Sequence, residues 1–284
     1  MNKKLQKIMI DAGFTCPNRD GKVGHGGCTF CRTESFSPAY CQGSIAAQIE
    51  AGKKFFAGKY PDMKYLAYFQ AFSNTYAPLE TLKQRYSEAL ACNDVVGLVI
   101  GTRPDCLPNE VVHYLAELNQ TTSVMVEIGV ESFYDKTLQR INRGHTSAQS
   151  IDAIERCAAA GLPVCIHLIV GLPGESEAEI LSEAEIINHL PVSSLKLHQL
   201  QILKQTAMAH DWELHRADFL DLSLDCYAQL VARFVRRLRP EVHVERFASS
   251  SPPSLLIAPR WGKKPSEVQK IIESYIINLK HNNK

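Results

Sequence analysis

The sequence alternates short apolar runs with helix-like segments, and this alternation restricts the folds open to it. Six runs rich in Val, Ile, Leu, Tyr and Phe occupy residues 7–11, 65–70, 95–101, 124–130, 164–170 and 195–201. Helical patterns lie between them at residues 44–58, 79–92, 109–119, 147–161 and 178–189. The runs are nearly continuous in apolar residues, as in parallel strands that are covered on both faces. Such strand-then-helix repeats predict an α/β fold, either a barrel or a doubly wound sheet.

The positions of the distinctive polar residues favour the barrel. They follow the six runs in order, at residues 16–31, 73–76, 102–105, 131–132, 171–175 and 204. In a β/α barrel the carboxyl ends of the strands build the active site. We therefore predict a partial (β/α)6 barrel of the TIM type with its site at this end.

The chain shows no linker before about residue 205, so we expect residues 1–205 to form the barrel core. Residues 206–284 carry a helical pattern at 222–238, a short run at 242–247, a Ser/Pro turn at 249–253 and a last helix at 266–279. We expect this part to be a C-terminal α/β extension packed on the barrel.

Composition excludes several classes of protein. With 45% hydrophobic and 21% charged residues, the chain is not of the disordered type. No apolar run approaches the roughly 20 residues of a membrane-spanning helix, and the start lacks a signal-peptide core. We expect a cytoplasmic protein with no membrane partner. Its nine cysteines, in a reducing compartment, indicate metal binding or catalysis rather than disulfides.

The C-terminal segment is basic although the net charge of the whole chain is +1. Residues 233–284 hold eleven Lys and Arg against four Asp and Glu, which suits a polyanionic partner such as RNA. The basic residues of interest are Arg233, Arg236, Arg237, Arg239, Arg260, Lys263 and Lys264. The alternative is that the first four form the solvated face of one helix.

Three cysteines lie close together in a glycine-rich loop with the spacing Cys16-x11-Cys28-x2-Cys31. Thiolates prefer zinc or an iron–sulfur cluster. A structural zinc site needs a fourth ligand, for which His25 and Cys41 are the candidates. The spacing leaves three interpretations open: a cluster, a zinc site and cysteines without a metal.

These residues resemble the radical S-adenosylmethionine (SAM) superfamily. Three cysteines follow a first strand, and the last pair has the form Cys-x-aromatic-Cys. The resemblance extends to the subfamily related to the catalytic subunit of Elongator and to oxygen-independent coproporphyrinogen oxidase. It is carried by residues 11–31, 69–76, 101–105, 127–131, 140–146 and 167–175, and more loosely by 259–261.

The resemblance implies that Cys16, Cys28 and Cys31 bind a [4Fe–4S] cluster whose fourth iron binds SAM. Reductive cleavage of SAM then gives a 5′-deoxyadenosyl radical, a chemistry that belongs to the cofactors. It also implies an electron donor such as flavodoxin or ferredoxin.

The resemblance also implies the SAM contacts. Ser73, Asn74 and Thr75 replace the family's usual Gly-Gly stretch and would accept hydrogen bonds from the SAM ammonium; the alternative is an ordinary polar turn. Arg143, twelve residues after Glu131, would bind the methionine carboxylate, and Glu131 would bind the ribose. Relatives often carry Gln at the position of Glu131. The alternative is a structural ion pair between the two.

Three further positions are implied to contact SAM. His167 would contact ribose where relatives often carry Asp, or else is a satisfied core histidine. Gly171 would let the backbone approach the adenine, and Phe30 would present its backbone to it. Arg103 and Asp105 are either supports of the site or substrate contacts.

Two residues near the expected substrate pocket are candidates for catalysis, Cys106 and Lys204, although a role without chemistry is open for both. The remaining cysteines are interpreted as small apolar residues: Cys41, Cys92, Cys157, Cys165 and Cys226.

The sequence therefore favours a radical SAM enzyme whose substrate is a candidate tRNA nucleoside. Two alternatives remain. One is a zinc- or cluster-containing nucleic-acid-binding module without radical chemistry, and the other is a radical SAM enzyme of the haem pathway.

Overall fold

The structure, a computed structural model, describes residues 5–32, 38–58 and 63–281. Its main element is one sheet of parallel strands that lie side by side in chain order. They are β1 (Leu5–Ile10), β2 (Lys64–Phe69), β3 (Val95–Thr102), β4 (Ser123–Glu131), β5 (Val164–Val170), β6 (Ser194–Gln199) and β8 (His243–Arg246). Two short antiparallel strands, β7 (Ile202–Leu203) and β9 (Leu256–Ala258), pair separately. The sheet curls into a partial TIM-like barrel, so the predicted fold class is confirmed.

Helices connect the strands. They are α1 (Ile45–Phe56), α2 (Leu79–Leu90), α3 (Asn109–Asn119), α4 (Asp135–Arg140), α5 (Ser147–Ala159), α6 (Glu177–Asn188), α7 (Ala207–Leu214), α8 (Leu224–Val235) and α9 (Pro265–His281). The starts of α5 and α6 are capping boxes, in which the hydroxyls of Thr146 and Ser176 accept from the third helical N–H. The chain leaves α5 at Gly161, whose φ of 78° suits glycine. The five predicted helices correspond to α1, α2, α3, α5 and α6. They could be predicted because helix caps and apolar periodicity are local features of the sequence.

The sequence indicated six strands for the barrel and a short run at 242–247 in the C-terminal extension, and that run forms β8, a seventh strand of the barrel sheet. This strand is short and half-buried, and it pairs parallel to β6. Its place in the sheet could not be predicted from a local pattern, because tertiary pairing decides it. α8 packs on α6 and α9, so the extension covers the barrel and also completes its sheet.

The barrel interior is polar where its first and last strands meet. Lys7 on β1 donates to Glu245 on β8 (2.8 Å) and to Glu127 on β4 (3.0 Å). Lys196 on β6 donates to Glu127 at 2.5 Å. Glu127 and Lys196 are almost fully buried, and Tyr68 donates to the same carboxylate at 2.6 Å. These bonds join β1, β2, β4, β6 and β8 across the interior. In the described part of the chain, no helix is long and apolar enough to cross a membrane.

Candidate active site

A cavity of about 620 Å³ opens at the carboxyl ends of the strands. Cys16, Cys28 and Cys31 line it from the loop after β1, and Ser73 lines it from the loop after β2. Glu131 lines it from the end of β4. The prediction that residues after successive strands meet in one place therefore holds for these side chains.

The cysteine loop is folded tightly by backbone hydrogen bonds. Cys16 O accepts from Arg19 N at 2.8 Å, and Asn18 O accepts from Gly27 N at 2.8 Å. Gly27 has a φ of 82°, and a Cβ there would lie 3.1 Å from Arg19 Nε. Glycine is required at this position because the backbone must reach a left-handed conformation beside the arginine. The loop thus brings Cys16 and Cys28, far apart in sequence, to one cavity.

N–H groups surround two of the thiols. Arg143 Nη1 lies 3.4 Å from Cys28 Sγ, and Asn18 Nδ2 lies 3.7 Å from the same sulfur. Arg19 Nη2 lies 3.4 Å from Cys31 Sγ. Burial and the neighbouring Cys28 raise the pKa of the Cys31 thiol, while Arg19 and Arg143 act in the opposite direction. Thiolates that bind a metal centre are typically stabilised by hydrogen-bond donors directed at their sulfur atoms, as these N–H groups are.

The geometry fits an iron–sulfur cluster better than zinc. Tetrahedral zinc, with Zn–S bonds of about 2.3 Å, needs sulfurs roughly 3.8 Å apart. Among the described residues the three sulfurs do not gather within 4.8 Å of one another. The two candidates for a fourth zinc ligand do not line the cavity: His25 is exposed, and the Cys41 thiol donates to Met9 O at 3.4 Å. A cluster holds its cysteines on separate irons, which suits the wider spacing.

The three residues after β2 point in different directions. Ser73 is fully buried, lines the cavity and lies beside the Cys106 thiol. Asn74 instead donates to the backbone carbonyls of Phe69 (3.0 Å) and Gly101 (2.8 Å), which joins β2 to β3. Thr75 Oγ1 lies 2.6 Å from the hydroxyl of Thr102. Of the three side chains, only Ser73 faces the cavity, so the other two match the polar-turn interpretation.

Arg143 and Glu131 form an ion pair, and both line the cavity. Nη2 of Arg143 lies 3.3 Å from Glu131 Oε1 and donates to Gly129 O at 2.6 Å. Burial lowers the pKa of the guanidinium, but Cys28 and Glu131 outweigh it, so the pKa is raised. A Cβ at Gly129 would lie 2.6 Å from Arg143 Nη2, so glycine is needed for this approach. The two side chains therefore pair with each other and present charge to the cavity.

Hydrogen bonds with His145 and Arg103 fix the position of Arg143. Its Nε donates to Nε2 of His145 at 3.0 Å, and burial together with Arg143 and Arg103 lowers the pKa of His145 to about 2. A neutral His145 can accept this bond. Arg103 donates to Arg143 O at 2.7 Å and forms a bidentate pair with Asp105, both bonds 2.9 Å. Arg103 therefore supports the site by fixing Arg143.

His167 lines the cavity and belongs to the interior network, since its Nε2 lies 2.9 Å from Glu127 Oε2. Its ring lies 5.2 Å from that of His198. Phe30 also lines the cavity. Gly171 lies outside it: a Cβ there would be 2.8 Å from Leu222 Cδ1, so packing against the segment before α8 accounts for this glycine.

The two candidates for catalysis do not line the cavity. Lys204 is exposed, and its carbonyl accepts from Arg32. Cys106 is 4% exposed, and burial and Asp105 raise the pKa of its thiol to about 12. The surroundings of Lys204 and Cys106 do not make either side chain more reactive, so the geometry favours a non-catalytic role for both residues. Among the other cysteines, Cys226 is exposed rather than packed in the core.

The basic residues of the extension form local pairs. Arg233 bonds to Glu177, Arg239 lies 3.8 Å from Glu241, and Lys263 lies 3.8 Å from Glu267. None of the seven basic residues singled out in the sequence lines the cavity. The contacts thus match the solvated-face interpretation at these positions, and RNA binding stays a prediction.

Sequence reasoning missed the charged residues inside the barrel, among them Glu127, Lys196 and Arg246. The first two interrupt strands that are otherwise apolar, and this was the signal that could have found them. Arg19, beside the Cys31 thiol, carried no such signal, because its role depends on how the loop folds.

Comparisons with known proteins identify the family of this chain. The family model described as the radical SAM superfamily matches residues 18–187, and one described as the radical SAM C-terminal domain matches residues 192–277. The chain is 39% identical to the Bacillus subtilis protein YtqA over 277 residues, which covers 97% of this chain and 85% of that protein.

More distant relatives share part of the chain or its fold. A tRNA uridine(34) acetyltransferase of Methanocaldococcus infernus is 23% identical over 211 residues, 70% of this chain and 38% of that protein. The structure of Elp3 from the same archaeon, with an N-terminal deletion, superposes with a TM-score of 0.72 at 18% identity. That match covers 98% of this chain and 64% of the other, so the chain spans less than two thirds of that structure.

The family model covers more than half of the chain, and a relative 39% identical covers nearly all of it. Members of this family are enzymes that use a [4Fe–4S] cluster and SAM, which supports an enzyme rather than a binding module without catalysis. The chain belongs to the radical SAM superfamily.

Proposed function

We propose that Cys16, Cys28 and Cys31 bind the [4Fe–4S] cluster and that Arg143, Glu131 and Ser73 bind SAM beside it. The observation that carries the proposal is the contact between Arg143 and both Cys28 and Glu131 in one cavity. A guanidinium fixed at that place can bind a carboxylate next to the thiolates. When both cofactors are bound, they supply a 5′-deoxyadenosyl radical for hydrogen abstraction.

The residues of the chain have three tasks in this proposal. Arg19, Arg143 and Asn18 direct N–H groups to the cysteine sulfurs, which stabilises negative charge there. The Glu131 carboxylate accepts from hydroxyls of the ribose. The barrel walls enclose the rest of the cavity and exclude water from the reaction. An electron donor such as flavodoxin or ferredoxin provides the reducing electron.

We further propose that the substrate is a tRNA nucleoside. The support is the relative from Methanocaldococcus infernus, a tRNA uridine(34) acetyltransferase, whose similarity spans 70% of this chain. Filter binding of bulk tRNA at two salt concentrations tests this proposal. If the protein contacts phosphates, the logarithm of the binding constant should fall as the logarithm of the salt concentration rises, with a slope of about 0.7 per neutralised phosphate on a single strand. Lack of binding at low salt would contradict the RNA part and leave a small-molecule or peptide substrate.

The chemistry is tested separately. Anaerobic protein with dithionite should release 5′-deoxyadenosine and methionine from SAM, slowly, even without a substrate. The matched variant is Cys31→Ala, which removes one thiol, and its control is Cys92→Ala, which lies just after α2 and does not line the cavity. Product release by Cys31→Ala at the wild-type rate would contradict the assignment of the ligands.

A further inference from the structure

The side chain of Arg246 lines the cavity without an acidic partner. It lies at the end of β8 and forms no ion pair or hydrogen bond with any residue in the described ranges. It is the register partner of Lys196, so both side chains project from the same face of the sheet, into the barrel. A half-buried guanidinium without a counter-charge needs an explanation.

The nearby carboxylates do not neutralise it, because lysines already pair with both. Glu127 accepts from Lys196 and Lys7, and Glu245 accepts from Lys7 at 2.8 Å. Two carboxylates therefore face two lysines, and Arg246 leaves this interior with one positive charge in excess.

A second unpartnered group lies beside it. Nε2 of His198 on β6 is buried and has no hydrogen-bond partner among the described residues, and His198 also lines the cavity. Burial, with His167 and Arg246, holds the pKa of His198 well below its usual value. A neutral imidazole still donates one N–H. An anionic oxygen near the guanidinium would satisfy both groups.

The wall around the two residues is fixed. The Gln199 amide donates to Ser249 O at 2.8 Å and accepts from Ser249 N at 2.9 Å, which ties the segment after β8 to β6. Ser251 Oγ donates to Gln201 Oε1 at 2.7 Å. Ser249 and Ser251 also line the cavity. Arg246 thus lies beside a hydrogen-bonded wall of the cavity, on β8, whereas Glu131 lies at the end of β4 and Arg143 in the loop after α4.

We propose that Arg246 and His198 bind an anionic group of the substrate, a carboxylate or a phosphate, within the cavity that holds the cluster and SAM. This inference rests on the proposed function, because it assigns the remaining part of that cavity to the substrate. Arg246 is then a binding residue for the substrate, whereas Arg143 serves SAM. The substrate then has an acidic group, such as the phosphate of a nucleotide, on the β6–β8 side of the cavity.

The test is binding of inorganic phosphate and of propionate to cluster-loaded protein saturated with SAM, measured by calorimetry. One or both anions should bind, and Arg246→Gln should weaken binding by about tenfold or more, the effect of losing a charge-assisted contact. Binding of phosphate alone identifies a phosphorylated substrate, and binding of propionate alone identifies a carboxylate. The control is Arg236→Gln, an exposed residue just after α8, which should bind as wild type.

A second measurement uses only the wild-type protein, so its result does not depend on whether a variant folds. Phenylglyoxal modifies accessible arginines, and peptide mass analysis of wild-type protein gives the rate at Arg246. Saturating anion should slow modification of Arg246 and leave Arg236 unchanged. Absence of binding by both anions, or equal affinity of Arg246→Gln together with unprotected Arg246, would overturn the inference. Iron content and SAM cleavage of the wild type are recorded alongside, because their loss would contradict the proposed function instead.

Discussion

Replacing Glu127 with Gln tests the interior network most sharply. The carboxylate is 0% exposed and accepts from Lys7, Lys196, His167 and Tyr68. Burial alone would raise its pKa, but His167 and the two lysines outweigh burial and hold the pKa well below the usual 4.5. Glu127→Gln removes the charge and leaves Lys196, whose side chain is 3% exposed, with only the more distant carboxylate of Glu245, at 4.0 Å.

The expected loss follows from these contacts. Removing one partner of a buried ion pair lowers the free energy of unfolding by about 3–5 kcal/mol. Because Gln keeps one oxygen as an acceptor and Lys7 is partly exposed, we expect the lower value, about 3 kcal/mol. At roughly 2–4 °C per kcal/mol, the apparent melting temperature should fall by roughly 6–12 °C. The double variant Glu127→Gln/Lys196→Met should recover part of the loss, since the unpaired charge is also removed.

The assay is anaerobic thermal unfolding of the cluster-loaded proteins at pH 7, followed by circular dichroism. The control is Glu241→Gln, whose side chain is 68% exposed and 3.8 Å from Arg239, and which should change stability by less than about 1 kcal/mol. A group with a depressed folded pKa stabilises above its unfolded pKa, so the difference between wild type and Glu127→Gln should shrink as pH falls below 4.5. A Glu127→Gln protein as stable as wild type at pH 7 would refute the reasoning.

Three further predictions concern individual residues. Arg143→Gln should weaken SAM binding in a titration by about 1.5–3 kcal/mol, the range for a hydrogen bond to a charged group, and unchanged affinity would make Arg143 purely structural. Gly171→Ala should lower the melting temperature, because φ is 90° and the new Cβ meets Leu222, but should leave SAM affinity unchanged. A selective loss of SAM affinity would instead place Gly171 at the adenine. Cys106→Ser and Lys204→Met should cleave SAM at the wild-type rate, and a large loss in either would return that residue to catalysis.

The sequence predicted those features of the fold that depend on local pattern. Six strands and five helices follow from apolar runs and periodicity, and the meeting of Cys16, Cys28 and Cys31 with Ser73 and Glu131 follows from the rule that barrel sites form at strand ends. Arg143 follows a helix instead, and only the family resemblance indicated it. The run at 242–247 was visible in the sequence, but its place as β8 beside β6 was not, because that place is set by tertiary pairing rather than by a local pattern.

Side-chain direction could not be read from sequence. Ser73 and Asn74 are neighbours, yet one faces the cavity and the other bonds to the backbone of β2 and β3. Gly171 follows β5 as predicted, but Leu222, distant in sequence, occupies the space beside it. Arg246 was counted only as part of a basic segment, because its place in the barrel depends on the pairing of β8 with β6. Each of these outcomes is set by long-range packing.

The central claim is that Cys16, Cys28 and Cys31 bind a [4Fe–4S] cluster. The most direct measurement is iron and acid-labile sulfide in anaerobically reconstituted protein, for wild type, Cys28→Ala and the control Cys41→Ala. Wild type and Cys41→Ala should contain about four irons per chain, and Cys28→Ala should lose them because a thiolate ligand is missing. A full cluster in Cys28→Ala, or zinc without sulfide in wild type, would contradict the account.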